Sequence, residues 1–220
     1  MTISPASAEG APRVTFRFGL SALRWGHEGQ PAVLMMHGVG GRPAQFTNLI
    51  PPLLARERQV IALEAPAHEY ALDEEATQME LAMAMLEAAV EIRELETVVG
   101  HSLGAAAAAL ALAHGLPADR AVLLAPASTI TAGDAAFART LRKLDIPALV
   151  VHDSGDTIVP HAEAQAIARA WPGAQLLTTT GLGHWKILAD PGVAEHVADF
   201  VARRRIAART LHQAALATLQ

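Results

Sequence analysis

The chain contains no cysteine. That absence excludes disulfides, thiolate catalysis and zinc–thiolate centres together, and leaves the redox compartment open. Charge is sparse at 18%, and no excess of basic residues exists. Lysine and arginine number 17 against 22 acidic residues, giving a net charge of −5 with a pI near 6.0. A general nucleic-acid binder would carry a basic face, so no nucleic-acid partner is expected. The one dense basic run, Arg203, Arg204 and Arg205, is too short to make such a face. No uninterrupted apolar run is long enough for a membrane span, so no membrane insertion is expected. The opening MTISPASAEGAP has neither the positive start nor the apolar core of a secretory signal. A cytoplasmic protein is the default expectation.

What is present is enough apolar material for a sizeable core. Hydrophobic residues make up 51% of 220 positions, with mean hydropathy +0.25. A chain of this length can bury roughly 70% of the surface its unfolded form exposes. Residues 1–12 are small, polar and proline-containing, and read as a mobile tail. Two short β-like runs follow, 14–18 and 22–25. Then the texture changes to continuous apolar runs: Ala32–Met36, Gln59–Leu63, 97–99, Arg120–Leu124, 147–151 and a weaker 174–178. Continuous rather than alternating apolar strands indicate burial on both faces, as in a parallel sheet.

Helical patterns lie between them, at 43–55, 73–95, 103–114, 135–144, 161–170 and 193–205. The alternation predicts an α/β fold: a mostly parallel central sheet, an antiparallel N-terminal strand pair and helices on both faces. Residues 13–205 read as a single domain, without internal repeat or interdomain linker. Residues 206–220 read as a C-terminal helical extension, because Ala208, Leu211, Ala215 and Leu219 recur at helical spacing. This stripe has two readings: packing on the body, or a partner or homodimer helix.

The central chemical signal is Gly100-His101-Ser102-Leu103-Gly104. Gly-x-Ser-x-Gly alone is weak. Here a buried-type strand leads in and an alanine-rich helix leads out, the context of a nucleophile elbow. Flanking glycines let the neighbouring backbone approach, and the helix N-terminus favours a developing anion. A helix-capping Ser102 is the alternative. A serine hydroxyl needs a base. His184, in Gly181-Leu182-Gly183-His184-Trp185, is the best placed of ten histidines, with His161 as its competitor. The orienting acid is sought in His152-Asp153-Ser154-Gly155-Asp156-Thr157, after the strand at 147–151. Asp153 and Asp156 compete. Asp156, followed by Ile158, Val159 and Pro160, is the better candidate for a buried carboxylate that fixes the histidine tautomer. The fourth part is His37-Gly38-Val39-Gly40-Gly41. It lacks the Lys-Ser/Thr of a P-loop and the spacing of a dinucleotide loop. An oxyanion hole from the Val39 and Leu103 N–H groups fits better.

The order of these parts, HG loop, serine elbow, Asp and His, resembles the α/β-hydrolase superfamily, over about residues 14–205. The resemblance implies Ser102 as nucleophile, Asp156 as acid, His184 as base, and Val39 and Leu103 as oxyanion donors. The single HG-x loop resembles the class with many carboxylesterases. Where many relatives carry Asp-x-Pro-Gly-His-Gly, this chain has Glu64-Ala65-Pro66-Ala67-His68-Glu69. Only about one helix fits between Pro126 and Ile146, so a minimal or absent lid and an open pocket are expected. Candidate lining residues are Phe46, Ile130, Phe137, Ile158 and Trp185, beside Val39 and Leu103, although each also suits a core. The implied activity is a carboxylesterase-like serine hydrolase acting on a small-molecule ester or thioester through an acyl-enzyme, with no cofactor and no metal. A slow-turnover ligand sensor on the same fold is the alternative from another class. A lyase, perhydrolase or carbon–carbon hydrolase keeps the fold and changes the reaction.

Overall fold

The computed structural model describes residues 11–17, 19–65, 74–131 and 133–203. Most of the proposed N-terminal tail and all of the 206–220 stripe lie outside the described residues. The eight strands are β1 (Arg13–Thr15), β2 (Ser21–Trp25), β3 (Ala32–Met36), β4 (Gln59–Leu63), β5 (Leu95–His101), β6 (Arg120–Leu124), β7 (Ala148–Asp153) and β8 (Ala174–Thr179). They form one sheet in the order β1-β2-β4-β3-β5-β6-β7-β8. β1 and β2 are antiparallel, β2 is antiparallel to β4, and the rest is parallel. This is an α/β-hydrolase fold.

Helices cover both faces, which is why β3, β4 and β6 are buried along their whole length. Along each strand alternate side chains enter separate cores. Leu34, Met36, Ile61 and Val98 join the core under α2 (Glu74–Ala89), α3 (Leu103–Ala113), α4 (Ala135–Leu141) and α5 (His161–Ala170). Val33, Met35, Val60 and Val99 join the opposite core under α1 (Ile50–Leu54) and α7 (Pro191–Ala202). Helix α3 is alanine-rich for a steric reason. It lies close on the sheet with nine of its residues buried, where larger side chains would hold it off.

Several boundaries differ from the sequence expectation. The stretch 43–55 splits into a 3-10 turn, Pro43–Phe46, and α1. Pro51 and Pro52 neither end nor kink a helix, because they occupy its first turn, where no intrahelical N–H is lost. The helix expected over 73–95 stops at Ala89. Three tighter bonds close its end, from the N–H groups of Val90, Glu91 and Ile92 to the carbonyls of Glu87, Ala88 and Ala89. Beyond it, β5 is longer than 97–99, because its pairing with β3 runs from Leu95 to Gly100. A helical turn, α6 (Gly183–Lys186), replaces the expected loop around His184. Helix α7 starts earlier than 193, where the Asp190 carboxylate caps the Val193 N–H at 2.8 Å. It ends at Ala202, short of 205. Between β6 and β7 the described residues contain only α4. No described helix is long and apolar enough to cross a membrane.

Candidate active site

Ser102 stands between β5 and α3 with φ 55° and ψ −123°. A non-glycine residue at positive φ costs ~1–3 kcal/mol and persists only where its surroundings over-determine it. Here they do. The Ser102 N–H donates to the Leu124 carbonyl at 2.9 Å, and the Ser102 carbonyl accepts from the Ala127 N–H at 3.1 Å. The hydroxyl makes no cap to the helix it precedes, which removes the capping alternative. Both flanking glycines answer to crowding. A Cβ on Gly100 would meet the Gly104 carbonyl at 2.3 Å, and one on Gly104 would meet the Met36 and His37 carbonyls at 2.4 Å.

The HG loop packs directly against this turn. The buried His37 ring links it to the chain beyond β4. Nε2 accepts the Ala65 N–H at 3.1 Å, so Nδ1 carries the hydrogen and donates to the Gly38 carbonyl at 2.8 Å. Burial pushes the His37 pKa down, keeping the ring in this neutral form. Gly40 adopts φ 66°, a left-handed conformation that suits glycine. Among the described residues no backbone acceptor takes the N–H of Val39 or of Leu103.

The two competing aspartates have separate partners. Asp153 ties loops together: its carboxylate accepts from the Gly155 N–H, the Thr179 hydroxyl and the Leu182 N–H, each at 2.9 Å. Burial pushes its pKa up, but the Leu182, Gly155 and Thr179 donors outweigh that and hold it down to about 2. Asp156 meets the histidine instead. Its Oδ2 lies 2.8 Å from His184 Nδ1, while Oδ1 accepts the Ile158 and Val159 N–H groups at 2.8 and 3.0 Å. Burial raises this carboxyl, and the Val159, His184 and Ile158 donors bring it below the usual range. With Nδ1 committed to Asp156, His184 has Nε2 left for a substrate or a hydroxyl. The competitor His161 hydrogen-bonds the Thr178 hydroxyl at 3.0 Å through its Nε2.

Two neighbours of this constellation carried no local sequence signal. His101, fully buried beside Ser102, places Nε2 3.0 Å from the His184 carbonyl and Nδ1 3.3 Å from Gln45 Nε2. Nε2 therefore donates and Nδ1 accepts. Burial drives the His101 pKa down to about 4, so the ring stays neutral. A chain of contacts thus joins the turn after the HG loop, the serine strand and the histidine turn. His152 is the second neighbour, with Nε2 3.2 Å from Asp156 Oδ2.

The lining candidates divide. Val39, Ile158 and Trp185 are exposed at 47%, 57% and 51%. Each lies within two residues of Gly38, Asp156 or His184. Ile130 is half-buried against the core under α3 and α4. Leu103 and Phe137 are buried in that same core, and Phe46 is wholly buried in the opposite one. Phe46 and Phe137 therefore do not line an open mouth; both fill core space beneath helical turns.

The model of the serine hydrolase family matches residues 59–203. The chain belongs to that family. This serine hydrolase is similar to several solved structures. Est1E from Butyrivibrio proteoclasticus is 18% identical, with a TM-score of 0.71 over 87% of this chain and 97% of that one. An esterase (EaEST) from Exiguobacterium antarcticum is 13% identical, with a TM-score of 0.69 over 88% and 100%. The thioesterase domain from the curacin biosynthetic pathway is 13% identical, with a TM-score of 0.70 over 87% and 99%. Comparison with curated proteins gave no match.

Proposed function

We propose that this serine hydrolase cleaves a carboxylic ester or thioester through Ser102, His184 and Asp156, by way of an acyl-enzyme. The observations that carry the reading are the 2.8 Å hydrogen bond from His184 Nδ1 to Asp156 and a strained serine whose hydroxyl caps nothing. Ser102 Oγ attacks the carbonyl carbon as His184 Nε2 takes its proton. The oxyanion rests on the Val39 and Leu103 N–H groups; losing one such donor costs about 2.7–4 kcal/mol of transition-state stabilisation. His184 then protonates the leaving alcohol or thiol, and water deacylates the serine. Asp156 keeps its negative charge throughout and stabilises the imidazolium.

The exposed apolar trio Val39, Ile158 and Trp185 favours an uncharged acyl group of modest length. The neighbours named as an esterase and a thioesterase domain support the fold and agree with this chemistry. The test is hydrolysis of p-nitrophenyl esters of increasing acyl length by wild type and Ser102→Ala. Repeated turnover that vanishes in the variant is expected. A single stoichiometric burst would instead assign a slow sensor, and no product from folded wild type would overturn the ester reading.

A further inference from the structure

His152 has no part in the mechanism above. It lies in β7, is fully buried, and sits one residue before Asp153. Space filling alone does not explain an imidazole here, since an apolar side chain would fill the same room without polar atoms to satisfy. Its Nε2 faces two acceptors, the Val159 carbonyl at 3.0 Å and Asp156 Oδ2 at 3.2 Å. Nε2 must therefore carry the hydrogen, which it donates to the Val159 carbonyl, with the Asp156 oxygen a close electrostatic neighbour. Nδ1 is then a lone pair, buried and without a hydrogen-bond partner among the described residues. Protonating it would bury an N–H with no acceptor.

The titratable groups facing this ring are Asp156, His161 and His184. His161 stands edge-on with ring centroids 5.6 Å apart. Burial comes first among the influences and pushes the His152 pKa down. The ring is thus a neutral donor of fixed direction. Asp156 is the charge it faces. Oδ1 takes two backbone N–H groups, and Oδ2 takes the His184 N–H with the His152 Nε2 3.2 Å away. Val159 closes the ring, giving its N–H to Asp156 and its carbonyl to His152.

We propose that His152 is a positioning residue of this site, whose Nε2–H clamps the Val159 turn around Asp156, the carboxylate that holds His184. The inference rests on the ester-hydrolase reading above. The carboxylate cannot swing away from His184 without leaving the Val159 N–H that this ring holds in place and the imidazole edge beside Oδ2. A neutral clamp does this without adding a positive charge that would oppose the imidazolium formed in each half-reaction. Removing it frees the Val159 turn and the carboxylate it holds to shift, so His184 is held less firmly.

The test compares His152→Leu, His152→Gln and His152→Asn with wild type and Ser102→Ala. The readouts are kcat and KM on a p-nitrophenyl ester, the pH profile of kcat/KM, and the low-field proton resonance of His184 Nδ1–H. His152→Leu should lower kcat about tenfold with KM unchanged. It should also move the acidic limb of the profile and displace the proton resonance. His152→Gln, which sets an amide N–H where Nε2 was, should recover most of kcat and the wild-type limb. His152→Asn, whose amide falls short, should not. Equal loss in the Gln and Asn variants would mean a core residue only, and overturns the proposal. So would wild-type kcat, profile and resonance in His152→Leu. Ser102→Ala separates the two claims, because residual turnover there defeats the ester reading itself. The resonance tests the clamp even if no ester is cleaved, and should His152→Leu fail to fold, the Gln and Asn pair decides.

Discussion

A methyl group on Gly38 would stand 2.8 Å from Ser102 Cβ and 3.3 Å from its Oγ. The HG loop therefore touches the nucleophile through a residue that has no side chain to spare. Gly38→Ala should push the loop, and the Val39 N–H with it, away from the oxyanion position. A fall in kcat/KM of roughly 10²–10³ is expected, the size of one lost oxyanion donor. Steady-state kinetics beside a circular dichroism spectrum checks it; wild-type activity would mean that Val39 is not a donor.

Asp156 and Asp153 should respond differently to the same change. Asp156→Asn disturbs the His184 tautomer and should cut kcat by roughly 10⁴ with little change in melting temperature. Asp153→Asn weakens three hydrogen bonds to a buried carboxylate and should cost about 1.5–3 kcal/mol of stability. Its kcat, measured well below the melting temperature, should stay within about tenfold of wild type. Denaturant titrations and kinetics on both variants decide.

Stability should fall as pH drops from about 6.5 towards 4. His101 is held at about 4 in the folded chain, against 6.5 for the free side chain. Between these values the unfolded chain binds the extra proton, so acid favours unfolding. The contribution is fully present above about 6.5 and is on the order of 3 kcal/mol. His37 and His152, also lowered by burial, act in the same direction. Urea titrations across this range should show the slope, and His101→Gln should flatten it.

Trp185→Ala should matter more for long acyl chains than for acetyl. The indole is half exposed and stands edge-on to His184, with ring centroids 5.0 Å apart. Its loss removes apolar contact from the rim, so KM for longer esters should rise by about tenfold while kcat on the acetyl ester changes little. An equal effect across the series would place the acyl chain elsewhere.

Gly104→Ala should fail at the level of folding. The added methyl meets two backbone carbonyls at 2.4 Å, and neither strand β3 nor helix α3 has room to retreat. Overpacking of this kind costs ~1–3 kcal/mol or more. Soluble yield and melting temperature are the measurements.

Some of this was legible along the chain. The strands Ala32–Met36, Gln59–Leu63 and Arg120–Leu124 begin and end where their apolar runs do. The serine elbow was legible for a related reason. Its glycines answer to contacts with Gly104, Met36 and His37, and only a residue without Cβ satisfies them. Helix ends were harder to read. Glu91, Arg93, Glu94 and Leu95 continue the run of good helix formers past Ala89, with no glycine or proline, so nothing local marks the turn that sends the chain into β5.

Sequence alone therefore determined the parallel sheet, the tight turn at Ser102 and the pair of aspartates from which the acid would come. These depend on neighbours a few residues away, through alternation, run length and the room a glycine leaves. Tertiary structure decided which aspartate meets His184. Asp153 and Asp156 are three apart, at the end of β7 and in the loop after it, and both residue types suit a turn. Asp153 is claimed by Thr179 and Leu182, more than twenty residues distant, which leaves Asp156 for the histidine. The same holds for His101 and His152. An imidazole's role is set by where its nitrogens find partners, and here those partners come from His184, Gln45 and Val159, brought together only when the loops close over the sheet.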